Sequence, residues 1–341
     1  MHKKALLKTA YSLGLAILIS GLGIWLASFS KASDKIILHG ASQFDHNHSY
    51  TRALVKFEEL VEKYYTGSRE IEFVLHANGE LGVEKDFFTY MNIGAVVDYA
   101  ILAPSHVSTF SPMATIMDIP FLFRDADHYL AAIEADVFKE VKDDLLRRAD
   151  VLIAAYGGGE QRHIFGRRPI RNMQELQGFS MRVMGSPIQS RMFAALGASP
   201  TVISSDEIYN AIQTGVIEGA ENSAAVIDLL KWYEVASDIS FTSVSYIVRP
   251  LFFNAKRLRT FPKELQDAMI KAAPEAMAFE RSIEMGQDNP MLEKLEQTGR
   301  INVHQFEDRG QMLRLAEPVK KAFAEEIGAS QILEAINAIQ P

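Results

Sequence analysis

Cysteine is absent from the 341 residues. That excludes disulfides, a nucleophilic thiolate, cysteine-ligated zinc and a lipid-modified cysteine anchor. A chain this long buries enough core to fold without disulfides. Catalytic signatures are missing as well. There is no G-x-S-x-G elbow and no H-E-x-x-H helix, and the nine histidines form no constellation. Gly157-Gly158-Gly159 follows a strand pattern, but Arg162 stands where G-x-G-x-x-G spacing requires glycine, and no Lys-Ser/Thr follows. A nucleotide loop is therefore not expected, and a flexible crossing between domains accounts for the glycines. Beyond Phe29 no apolar run reaches the length of a membrane span. Positive charge is also scarce: the net charge is −8, and Lys3, Lys4, Lys8 and Lys31 leave the rest of the chain more acidic still. Such a body argues against nucleic acid and anionic membranes as partners, while leaving a small anion open.

What is present begins with a targeting pattern. Three lysines precede an apolar run from Ala10 to Phe29, and Ser30-Lys31-Ala32 offers small residues to a signal peptidase. Residues 1–32 read as a secretory signal peptide cleaved after Ala32, the alternative being an uncleaved anchor. The remainder is long enough for two domains. Lys35 to Gly40 reads as a strand, and Ser49 to Tyr65 as a helix with Leu54, Phe57, Leu60, Val61 and Tyr64 at spacings of three and four. Glu70 to Leu75, Val83 to Ile93 and Asp98 to Leu102 complete a βαβαβ pattern, which implies a parallel sheet with helices on its faces. The pattern restarts at Val151. It continues with strands at Ser180–Met184 and Thr201–Ile203 and helices at Pro187–Leu196 and Asp206–Thr214. Pro262 to Gly299 is helical in character, but Pro274 and Pro290 should kink or break it.

Few residues stand out as candidate ligands. Asp45-His46-Asn47-His48 alternates donors on a loop, yet a metal site needs further ligands, and turn chemistry explains it. The paired acids Glu58-Glu59 and Asp143-Asp144 read as solvated helix faces. Arg162, Arg167, Arg168 and Arg171 form a basic run, of which the last three read as surface ion-pair partners. Arg182 differs, because its neighbours in Phe179-Ser180-Met181-Arg182-Val183 are apolar and alternate. A lone arginine there is partly buried and needs a carboxylate, supplied equally well by a side chain or by a ligand.

Several segments, in order along the chain, resemble the substrate-binding subunits of TRAP transporters, the DctP-like family. These are Gly79-Glu80-Leu81-Gly82 with Glu84, Asp118-Ile119-Pro120-Phe121-Leu122-Phe123, and Arg168-Pro169-Ile170 through Gln177-Gly178-Phe179-Ser180-Met181-Arg182-Val183. Gly197-Ala198-Ser199-Pro200, Glu207 through Asn222, and Pro262-Lys263-Glu264-Leu265-Gln266 follow. The resemblance implies an α/β, two-lobed periplasmic binding protein fold, with a ligand cleft between lobes and a long bridging helix. Residues 33–158 plus 248–287 would form one lobe, and 159–247 plus 288–341 the other. It implies that Arg182 clamps a ligand carboxylate, that Arg162 is a second cleft arginine and that Asn222 is a site asparagine. Glu84, His106, Phe44 and Ser205 complete the expected ligand-binding set. Ala103, Gly185 and Ser205 fall where sialic-acid binders carry polar and charged groups, so that ligand is not expected. A dicarboxylate, an aromatic or hydroxy acid, a keto acid and a sugar acid stay open. The implied role is carriage of a small organic acid in the periplasm to small and large membrane subunits, with no cofactor, metal or catalysis. The alternatives are a sensor module delivering its ligand to a receptor, and a hydrolase or lyase using His106 and Glu84.

Overall fold

The computed structural model describes residues 35–340, so the signal segment lies outside it. Residues 287 and 288 are described by backbone alone. The chain divides into two compact units. The described part of the smaller is 35–37 with 68–72, where the Lys35 ammonium meets Glu70 and Glu72 at 2.9 and 2.8 Å. The larger holds 38–67 and 73 onward, and every residue of the site described below lies within it.

The strands are β1 (Ile36–Ala41), β2 (Ile71–His76), β3 (Tyr99–Ile101), β4 (Val151–Gly166), β5 (Ser180–Val183), β6 (Ser199–Val202), β7 (Gly219–Asn222), β8 (Asp238–Asn254) and β9 (Asn302–Gln305). They form one mixed sheet in the order β2-β1-β3-β8-β4-β7-β5-β6, with β9 on β8. The first three helices are α1 (Ser49–Tyr64), α2 (Glu84–Ile93) and α3 (Ala126–Glu134). The next five are α4 (Lys139–Ala149), α5 (Met173–Leu176), α6 (Pro187–Ala195), α7 (Ile208–Gln213) and α8 (Ala224–Leu229). The last four are α9 (Ala255–Leu258), α10 (Lys263–Gln297), α11 (Arg309–Glu326) and α12 (Ser330–Ala338).

Helix α1 buries Tyr50, Ala53, Leu54, Phe57, Leu60 and Val61, the stripe its spacing predicts. Its N-terminus is closed by His48, whose Nδ1 accepts the Tyr50 N–H at 3.2 Å. Helix α2 starts with Glu84 and Asp86, acids that suit the positive end of the helix dipole, and stops at Gly94 with φ of 75°.

Strands β4 and β8 are the longest, and pairing divides the sheet along them. Val151 to Gly158 of β4 face Asn254 to Val248 of β8, beside β3 and β1; Gln161 to Gly166 face Tyr246 to Asp238, beside β7. The junction is the glycine run. It was expected as a loop, yet the strand runs through it, because β8 offers an unbroken partner on the far side. The register shifts between Gly158 and Gln161, which is a bulge. Gly158 and Gly159 have φ of 95° and 91°, the left-handed region where only glycine is unstrained.

Helix α10 also departs from expectation. It continues through both Pro274 and Pro290. Packing compensates for the missing backbone donors: Leu265, Ala268, Met269, Ala272, Ala273, Ala276 and Met277 are buried on one side of it. The helix is tied to the first half-sheet by Arg281 Nη1 donating to Tyr156 O at 2.8 Å, and its Leu295 packs in the second apolar cluster with Phe165, Ile212 and Trp232. Two paired acids are not solvated as expected. Asp144 is buried, accepting from Ser111 at 2.6 Å and from Arg148 at 2.8 Å, while Glu58 accepts from Tyr99 Oη at 2.5 Å.

Candidate functional site

The two half-sheets contribute the walls of a concave cavity lined by both polar and apolar side chains. All seven residues expected at a ligand site from sequence line it: Phe44, Glu84, His106, Arg162, Arg182, Ser205 and Asn222. They come from seven different stretches of chain, so folding alone assembles them.

Arg182 is central to the chemistry. It projects from β5, is 7% exposed, and its Nε donates to Ile203 O at 2.8 Å. Among the described residues no carboxylate lies within ion-pair distance of it. Burial, then the neighbouring Arg162 charge, pull its pKa down to about 10. A buried guanidinium with one neutral partner has donors left over, which burial makes costly unless an acceptor is supplied. Arg162 on β4 is different. Its Nε and Nη2 reach Glu221 Oε2 and Oε1 at 2.5 and 3.0 Å, and Nη2 also reaches Glu221 O at 2.7 Å. Its charge is thus already matched within the protein. Asn222 follows Glu221 on β7, and its Oδ1 accepts the Ser223 N–H at 2.9 Å. The other basic residues behave as surface partners, Arg168 with Glu218 at 2.8 Å and Arg171 with Glu175 at 3.4 Å.

The first half-sheet supplies the opposite chemistry. Glu84 heads α2, and its Oε2 accepts the Ala103 N–H at 2.7 Å and meets His106 Nε2 at 3.2 Å. Burial pushes its carboxyl up, but the His106 charge and hydrogen bond, the Ala103 amide and Arg249 outweigh that and hold it below the usual range. Phe44 stacks on His48 at 3.7 Å between ring centroids and meets Tyr50 edge-on at 5.5 Å. Burial, then Arg249, pull the His48 ring down to about 4, so it is neutral. Ser205 Oγ accepts from Gln43 Nε2 at 3.0 Å across the chain. Among the described residues no group of three or more His, Asp or Glu side chains is placed to hold a metal ion.

Sequence reading missed Arg249 and the aromatic Trp232, both on the cavity wall. Arg249 carried the same signal as Arg182, a lone cation within an apolar strand, in Ile247-Val248-Arg249-Pro250-Leu251. Its Nη2 donates to Glu160 Oε1 at 3.0 Å, its Nε lies 3.7 Å from Glu284 Oε1, and it caps the Tyr50 ring at 5.1 Å. Burial lowers its pKa, and Tyr50, Glu284 and Glu160 more than reverse that, so it stays charged.

The family described as bacterial extracellular solute-binding protein, family 7, matches residues 40–326. The chain belongs to this family. It is an extracytoplasmic solute-binding protein of the TRAP type. The expected class, an α/β two-lobed binding protein with a long helix, is shown by the same matches. A solute-binding protein of Sulfitobacter sp. (strain NAS-14.1) is 44% identical over 324 residues, which is 95% of this chain and 98% of that one. A crystal structure of a TRAP periplasmic solute-binding protein from Sulfitobacter sp. NAS-14.1 holds α-D-taluronate. It is 45% identical, with a TM-score of 0.85 over 89% of this chain and 97% of that one. Another, from Xanthobacter autotrophicus Py2 with β-D-galacturonate, is 25% identical, with a TM-score of 0.80 over 89% of this chain and 100% of the other.

Proposed function

We propose that this solute-binding protein carries the anion of a six-carbon sugar acid, a uronate, and hands it to TRAP membrane subunits without turning it over. The observation that carries the reading is Arg182: a buried guanidinium, facing the cavity, with no carboxylate of its own. A planar fork accepts a carboxylate through two parallel hydrogen bonds, so the acid end of the solute docks there. Arg162, fixed by Glu221, and the Asn222 amide flank that end. Glu84, His106 and Ser205 offer polar atoms to ring hydroxyls, and Trp232 and Phe44 offer apolar faces to the ring carbons. Sugar acids bound to the Sulfitobacter and Xanthobacter proteins support the choice.

The lobes divide where the pairing divides, near Gly158 and Val248, so that 33–158 with 248–287 closes against 159–247 with 288–341 by a hinge. Residues 1–32 direct export to the periplasm and are removed after Ala32. Mass spectrometry of the envelope protein then finds a chain starting at Ser33; an intact N-terminus held in the membrane contradicts cleavage. The ligand class is tested by calorimetric titration with D-taluronate and D-galacturonate and with their C6 amides. One uronate bound per chain, no binding of the amide and no product on incubation are the expected results. Equal binding of amide and acid overturns the reading.

A further inference from the structure

From the surroundings of Glu84 we infer that this side chain restricts the solute to a single carboxylate, rejecting diacids of the same length. The inference rests on the sugar-acid reading and deepens it.

Glu84 is 5% exposed and lines the cavity. Both of its protein bonds, from the Ala103 N–H and His106 Nε2, fall on Oε2. Oε1 is left without a protein partner among the described residues. The Ala103 amide and His106 favour the charged form of the carboxyl, so this wall of the cavity carries a negative charge and an acceptor lone pair. Arg249 acts on that charge but is shared with Glu160 at 3.0 Å and Glu284 at 3.7 Å, and His106 at 3.2 Å offsets it only when protonated. Arg182, which has no carboxylate partner, stands on the other half-sheet.

A solute group arriving at Glu84 must therefore bring a hydrogen to donate and no negative charge. A hydroxyl meets both conditions. A carboxylate meets neither, and inside the cavity it would also lose its hydration. Galactonate and galactarate separate the two cases, because both are open-chain six-carbon sugar acids with the same hydroxyl pattern and differ in whether C6 is a hydroxymethyl group or a carboxylate.

Competition calorimetry at about pH 8, where an ordinary histidine is neutral, reads the effect directly. The wild-type protein should prefer galactonate over galactarate by about 100-fold, since like-charge juxtaposition in a buried site is heavily penalised. Glu84→Gln places an amide where the charge was. It should cut the preference to about tenfold or less, mainly by gaining affinity for the diacid. A wild-type protein that binds both within tenfold overturns the inference without needing any variant. So does a folded Glu84→Gln protein whose diacid affinity is unchanged. A wild-type protein that binds a hexuronate but not galactonate overturns this inference alone, and one that binds neither these acids nor any hexuronate but does bind other acids overturns the sugar-acid reading as well.

Discussion

Three arginines face one cavity, and only their partners tell them apart. Arg162 is matched by Glu221, Arg249 by Glu160 and Glu284, and Arg182 by no carboxylate among the described residues. The sequence could single out Arg182 as buried, because its neighbours are apolar. It left a side chain and a ligand equally open as partner, and only the resemblance tipped the choice. Glu221 lies 59 positions from Arg162, and no local pattern encodes a pairing at that range. Arg249 was legible by the same criterion as Arg182 and was passed over. Asp118 belongs at this scale too. Both of its carboxylate oxygens are buried with no well-formed hydrogen bond among the described residues, and burial pushes its pKa from 3.8 up to about 7, against the weaker pull of His106, Ser186, Arg249 and the Ser105 amide. Below pH 3.8 the group is protonated folded or unfolded. Between there and about 7 the unfolded chain loses a proton that the folded one keeps, so stability drops as pH rises through that window. Asp118→Asn keeps the shape without the charge. Its melting temperature should exceed that of wild type at pH 8 and match it at pH 4. An equal difference at both values contradicts the assignment. His48 and His163 act in the opposite direction, since their pKa values of about 4 and about 3 remove stability as pH falls from 6.5.

Elements with strong periodicity were readable, and those held by tertiary partners were not. Helix α1 follows its three-and-four spacing almost to the residue. Strand β4 was cut short in the sequence reading, because three glycines weaken a strand when considered alone. The structure carries them inside the ladder, where their lack of side chains has a use: a Cβ on Gly157 would collide with the Glu280 carboxylate, and one on Gly158 with Ile247 O. Glu280 Oε2 in turn accepts the Gly158 N–H at 2.6 Å. Gly158→Ala should therefore destabilise the protein by about 1–3 kcal/mol in urea unfolding, from backbone strain together with the clash. Gly286→Ala, in α10 with nothing near the new methyl, should stabilise by about 0.5–1 kcal/mol through helix propensity. Equal effects of the two substitutions contradict the bulge as the reason for glycine at 158. The prolines of α10 teach the same lesson, since burial of the helix outweighs a local penalty that sequence reasoning counted in full.

At the scale of the molecule, the order of segments located the family before any geometry was known, and the proposed lobe boundaries rest on it. That order also supplied seven residues that line the cavity, but not the partners that set their charges, because those come from stretches far apart in the chain. An anion held by both half-sheets stabilises the folded state that binds it. At 100 times its dissociation constant, the bound uronate should add about 2.7 kcal/mol to unfolding, visible as a raised melting temperature that grows with uronate concentration. A melting temperature indifferent to every uronate contradicts the solute assignment.

The central claim is that Arg182 holds the solute carboxylate. Calorimetric titration of wild type, Arg182→Lys and Arg182→Met with one hexuronate, alongside thermal melts of the ligand-free proteins, tests it most directly. Stranding a desolvated carboxylate typically costs about 3–5 kcal/mol, a loss of roughly 100- to 4,000-fold in affinity. The methionine variant should show that loss while keeping its ligand-free stability, because no internal carboxylate depends on the arginine. The lysine variant should recover only part of it, having the charge without the fork. A stable Arg182→Met protein that binds the hexuronate within tenfold of wild type would contradict the account.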